Sequence, residues 1–136
     1  MDVDEYLQRI NSVNASECSL QNLYKLQQNH LLNIPYENLD IYLGKSLDTD
    51  LARIYDKIIR KRRGGLYFEL NLLFDWLLKQ LGYKVVMVSC RKYLPQSNSW
   101  AHWYSHFALV VEMNEHRFLV VSVFDFFILI SVRTMT

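Results

Sequence analysis

The hydrophobic period of this chain changes once, and that change constrains its architecture more than any other feature. Up to Gly82 the apolar residues recur at helical spacing; beyond it they gather in short runs rich in valine and other apolar residues. The best-specified helix lies just before the change. Leu70, Leu73, Phe74, Leu77 and Leu81 share one face, and Gly82 follows as a residue typical of the position past a helix C-terminus. Val3, Tyr6, Leu7 and Ile10 predict a first helix, with Asp4 and Glu5 near its positive end. Ser19 is the expected N-cap of a second, whose shared face is read as Leu20, Leu23, Tyr24 and Leu31 and which ends near Asn33–Pro35. Tyr36–Ser46 reads as irregular or short extended structure. Thr49 or Asp50 caps a third periodic segment through Leu51, Ile54, Tyr55 and Ile58. Lys84–Ser89, Phe107–Met113 and Arg117–Val123 read as strands, the last two joined through Asn114–Glu115–His116 as an antiparallel hairpin. Helices first and strands second define an α+β fold, with a helical domain over residues 1–83 and a sheet domain over 84–136.

The chain has 136 residues, enough for one core-forming domain. Fifteen basic and fourteen acidic residues leave a formal charge of +1, so no global field draws the chain to nucleic acid or an anionic membrane. Cys18 and Cys90 lack disulfide-framework spacing and suit a reducing compartment, with the cytoplasm as the expected location. The first ten residues are acidic and without an apolar run, unlike a signal or transit peptide. Phe118–Val132 is interrupted by Ser122, Asp125 and Ser131 and falls short of the ~20 residues of a membrane span.

Arg63–Gly64–Gly65–Leu66–Tyr67 places two small, flexible residues directly before a helix, so that side chain 67 stands near orphan amides that would stabilise an anion. The sequence supplies a phenol there, which near neutral pH ionises far less than a thiol and is a poor acyl acceptor. Taken alone the motif also fits a plain double-glycine turn feeding a buried helix. His102 and His106 have a ligand-like spacing, but no cysteine or acid completes a metal set, and none is expected. Cys90 reads as an inert, half-buried thiol rather than a replacement nucleophile. The basic run Lys57 to Arg63 reads as a solvated helix end.

Arg62–Arg63–Gly64–Gly65–Leu66–Tyr67–Phe68–Glu69–Leu70–Asn71 resembles the arylamine N-acetyltransferase signature R-G-G-x-C and the asparagine-bearing helix after it. Leu23–Tyr24–Lys25–Leu26, His30 and Ile34–Pro35–Tyr36–Glu37–Asn38–Leu39 are similar to the same family's upstream pattern, which ends in I-P-[FY]-E-N-L. Ser105–His106–Phe107–Ala108–Leu109–Val110 matches the strand that opens with the family's histidine. The resemblance runs from Asp4 to about Val120.

It implies a cysteine-proteinase-like arrangement of a helical domain and a β-barrel, incomplete here. It also implies a ping-pong reaction in which cysteine takes acetyl from acetyl-coenzyme A, with no tightly bound cofactor, and passes it to arylamines, arylhydrazines or heterocyclic amines, as in xenobiotic metabolism. Carried over, Tyr67 occupies the nucleophile's place, His106 the base's and Val121 the orienting aspartate's, so only the histidine survives. Asp125 is the nearest acid, but four residues along a strand span ~13 Å. Glu37 and Arg63 are implied to pair and tie the Pro35 turn to the Gly64 turn, with Gly64 and Gly65 structural. Tyr36 either borders the acceptor pocket or simply packs, and Leu66 is the other substrate-binding candidate. The chain stops where the family continues through its barrel and a further domain that encloses coenzyme A. The expectation is therefore a truncated, catalytically impaired family member; the alternative is a non-catalytic module whose exposed barrel edge pairs with a full-length homologue.

Overall fold

The computed structural model describes residues 1–15, 17–91, 93–102, 106–120 and 130–132. Helix α1 (Val3–Arg9) is capped by Asp2, whose carboxylate accepts the Glu5 N–H at 2.8 Å. Helix α2 (Leu20–Asn33) starts at Ser19, whose hydroxyl accepts the Asn22 N–H. Short α3 (Leu39–Tyr42) interrupts the stretch expected to be irregular. Helix α4 (Leu51–Tyr55) begins at Asp50, not Thr49, because the Asp50 side chain takes the Arg53 N–H. It continues as a single π-helical turn over Asp56–Arg60, closed by the Lys61 N–H on the Asp56 carbonyl. The long helix α5 (Tyr67–Gln80) buries Leu70, Leu73, Phe74 and Leu77 as its spacing predicts.

The face expected of α2 needs correction. Leu20 and Tyr24 are exposed, and the buried positions are Leu23, Leu26, Gln27 and His30. Apolar periodicity missed this face because it carries two buried polar side chains, Gln27 and His30. His30 Nδ1 lies 2.9 Å from the Tyr6 hydroxyl and its ring packs against Phe74 with centroids 4.6 Å apart. At the end of α2, the buried Arg9 guanidinium donates to the Asn33, Ile58 and Arg62 carbonyls, clasping α2, the π turn and the loop before α5.

Strands β1 (Lys84–Cys90), β4 (His106–Met113), β5 (His116–Val120) and β6 (Ile130–Val132) form one antiparallel sheet in the order β1-β4-β5-β6. β2 (Tyr93–Leu94) and β3 (Ser99–Trp100) make a separate small ribbon. The β4–β5 link is a two-residue turn: Asn114 and Glu115 both have positive φ, as a tight hairpin twisted like its strands requires, and His116 already belongs to β5. Among the described residues the sheet is not closed. Val85, Leu109, Val111 and Val120 join the helical core residues in one hydrophobic cluster, with α5 lying across β1 and β4. That packing sets the start of α5 beside the start of β4.

Candidate active site

The chain reaches α5 through Gly64 and Gly65, and the reason for glycine is close approach rather than conformational freedom. Neither residue has positive φ, which corrects the expectation of two flexible residues. A β-carbon on Gly64 would stand 2.0 Å from the Pro35 carbonyl oxygen, and one on Gly65 would stand 2.9 Å from Glu69 Oε2. This proximity lets the Glu37 N–H donate to the Gly65 carbonyl and the Gly65 N–H donate to the Pro35 carbonyl, a one-residue parallel bridge between the two turns. Glu69 then reaches back to accept the Leu66 N–H at 2.8 Å, half of a capping box, which fixes the first turn of α5.

Tyr67 is the first residue of α5 and His106 the first of β4. Their rings stack with centroids 5.3 Å apart and planes at 30°, and the Tyr67 ring also stacks on Phe107 at 6.2 Å. Both residues are half-buried. Asn71, one turn into α5 and fully buried, donates to the Tyr67 carbonyl at 2.8 Å and to the Phe107 carbonyl at 3.2 Å.

Behind the helix start lies an ion cluster that sequence reasoning saw only in part. Arg63 pairs with Glu37 at 2.8 Å, as expected, and also with Asp40 at 3.0 Å. Lys57 pairs with Glu69 at 2.9 Å and Asp40 at 3.0 Å. The basic run is therefore not simply a solvated helix end: Lys57 turns inward, while Lys61 is exposed with Asp56 and Arg60 with Glu5. The π turn contributes here, since it presents Lys57 to the cluster while Ile58 and Ile59 stay in the core. The Arg63 and then the Lys57 hydrogen bonds hold the Asp40 carboxyl well below the usual carboxylate range. Burial opposes the Lys57 ammonium, but bonds to Glu69 and Asp40 more than offset it and raise its pKa. These groups line a cleft of about 550 Å³ that includes Leu66. A signal for Lys57 and Glu69 exists in the sequence only as an i, i+12 charge pair across a glycine turn, which no local rule reads.

Of the other residues singled out, Tyr36 is 52% exposed, so it does not pack in the core. His102 is exposed. Cys90 is half-buried at the end of β1, but the register sets it directly across from His106, nearer the site than its sequence position implied. Its thiol contacts the Val88 carbonyl at 3.9 Å, and burial pushes its pKa up, which disfavours the thiolate. Val121 and Asp125 lie outside the described residues.

The fold that brings the start of α5 beside the start of β4 is one that this chain shares with solved acetyltransferases. The family profile described as N-acetyltransferase matches residues 19–129. A pineal gland arylamine N-acetyltransferase isozyme, NAT-3, of Gallus gallus is 38% identical over 121 residues, covering 88% of this chain and 42% of that protein. The arylamine N-acetyltransferase of Salmonella typhimurium superposes with a TM-score of 0.89 at 25% identity, over 98% of this chain and 49% of that one. One from Bacillus cereus, described as having a unique Cys-His-Glu catalytic triad, gives 0.80 at 25% identity, over 90% and 49%. The chain belongs to the arylamine N-acetyltransferase family. It spans about two fifths of the length of the curated relatives it matches and about half of the solved structures. Among the described residues no helix is long and apolar enough to cross a membrane.

Proposed function

We propose that this chain presents the nucleophile and base positions of an arylamine N-acetyltransferase with a phenol where the thiol belongs, and that in this form it does not transfer acetyl groups. The observation that carries the reading is the Tyr67–His106 stack, which joins the two positions that the family pattern assigns to acyl acceptor and base. In the family reaction a thiolate attacks the acetyl carbonyl of acetyl-coenzyme A, the coenzyme leaves as a thiol, and histidine carries the proton. An arylamine or arylhydrazine then takes the acetyl group from the enzyme. The Bacillus cereus enzyme has cysteine, histidine and glutamate for these tasks. This chain has Tyr67, His106 and, at the position matched to the acid, Val121. The rings of Tyr67 and His106 meet as a stacked pair with centroids 5.3 Å apart, and the phenol holds its proton far more tightly than a thiol would.

The division into a helical unit, residues 1–83, and a sheet unit, 84–136, a cytoplasmic location, and a part in handling foreign amines belong to the same proposal. A second reading, a non-catalytic module that pairs with a full-length homologue, is supported by the open sheet and by exposed Leu39, Ile41, Tyr42 and Leu43. Incubating the folded chain with isotopically labelled acetyl-coenzyme A, followed by peptide mapping, tests the first. No label is expected, and label on Tyr67 or Cys90 that an arylamine discharges overturns it. Co-purification with an intact homologue tests the second.

A further inference from the structure

We propose that Asn71 is a positioning residue, whose single side-chain amide sets the distance and register between the helix carrying residue 67 and the strand carrying His106. The inference rests on reading positions 67 and 106 as the site. Each hydrogen of Nδ2 has its own acceptor: the carbonyl of Tyr67 on one side and the carbonyl of Phe107, next to His106, on the other. Apart from the ring contacts of Tyr67 and Phe68 with His106 and Phe107, apolar side chains such as Leu70, Val85 and Leu109 pack α5 and the sheet into one core, and apolar packing is non-directional. A directed bond between two backbone carbonyls fixes a register that such packing leaves free.

The choice of residue also points away from packing. Asparagine is a weak helix former, and this one is fully buried in the first half of α5. Its Oδ1 is buried and has no partner among the described residues. An orphaned buried acceptor opposes folding, and leucine at this position would bury more apolar surface without it. The amide is thus retained against stability, and what it provides is the junction of residues 67 and 106. Serine at position 71 could still bond the Tyr67 carbonyl one turn back but is too short to reach the strand.

The test compares Asn71→Leu and Asn71→Ser with the parent chain by NMR, with Tyr67→Ala defining the unstacked state. The readout is the ring-current shift of the His106 ring protons, and the Tyr6–His30 proton contact reports the fold. Both Asn71 variants are expected to move the His106 signals most of the way to their Tyr67→Ala positions while the Tyr6–His30 contact persists. In a Tyr67→Cys background, Asn71→Leu is expected to shift the pH profile for alkylation of the introduced thiol upward, an effect that loss of stability alone does not produce. Unchanged His106 shifts in folded variants overturn the proposal. So does failure of both variants to fold at any temperature, which would make Asn71 a determinant of the fold. None of these readings requires acetyl transfer, so they stand apart from the acetyl-labelling result.

Discussion

Gly64 packs so tightly under Pro35 that a β-carbon on it would lie 2.0 Å from the Pro35 carbonyl oxygen. The obstacle is backbone, which cannot rotate away as a side chain can, and it belongs to the turn that Arg63 and Glu37 also hold. Gly64→Ala is expected to lower stability by about 3 kcal/mol or more, through loss of the Pro35–Gly65 and Glu37–Gly65 hydrogen bonds. Urea unfolding with an unchanged slope measures it; a loss under about 1 kcal/mol would show that the two turns can separate cheaply.

Lys57 and Glu69 form the most buried contact of the ion cluster, with Glu69 3% and the Lys57 side chain 15% exposed. Lys57→Met leaves a buried carboxylate facing Asp40 and is expected to cost about 3 kcal/mol. Glu69→Gln keeps an acceptor for the Leu66 N–H and is expected to cost less. The double variant is expected to be more stable than the sum of the single losses predicts, by about 1–3 kcal/mol. Strict additivity would mean that the pair contributes no coupling.

His30 is fully buried against Tyr6 and Phe74, and burial, followed by the Arg9 charge, depresses its pKa from 6.5 to about 3. The depressed value means that the unfolded chain binds the proton first. The stability tied to the neutral imidazole is complete above pH 6.5 and is lost as pH falls from there toward 3, by an amount on the order of 4 kcal/mol. His30→Gln is expected to flatten this part of the stability profile. A parent profile that is level from about pH 6.5 to about pH 4 would contradict the assignment.

Tyr67→Cys puts a thiol at the start of a fourteen-residue helix beside His106. Its alkylation by iodoacetamide at about pH 7 is expected to exceed that of Cys90 by ~10-fold or more, because a helix N-terminus and an imidazolium favour a thiolate and the burial of Cys90 opposes one. Adding His106→Ala is expected to remove most of that advantage. Equal rates with and without His106 would show that position 106 is not electrostatically coupled to position 67.

The sequence by itself determined the change from helices to strands and the identity of the family, but not α3, the π turn or the β2–β3 ribbon. Helical spacing ending at Gly82, a valine-rich remainder and motifs quoted residue by residue are local or register-bound properties, and the structure keeps them with small shifts at the element ends. The Glu37–Arg63 pair was legible for the same reason, since both members sit inside recognisable motifs. The apolar rule failed on α2, where His30 and Gln27 take core positions, His30 against Tyr6 and Phe74 of other helices.

Tertiary structure alone decided the rest. Why positions 64 and 65 are glycine is answered by Pro35 and Glu69, and Lys57 leaves the surface only because the π turn and Asp40 bring it partners. The approach of Cys90 to His106 is set by strand register. Asn71 acquires its second acceptor only when α5 lies across β4. Periodicity records which face an element buries, because burial repeats along the chain. Close approach, ion pairing and strand register depend on what lies opposite, and the spacing of a single element carries no record of its partner.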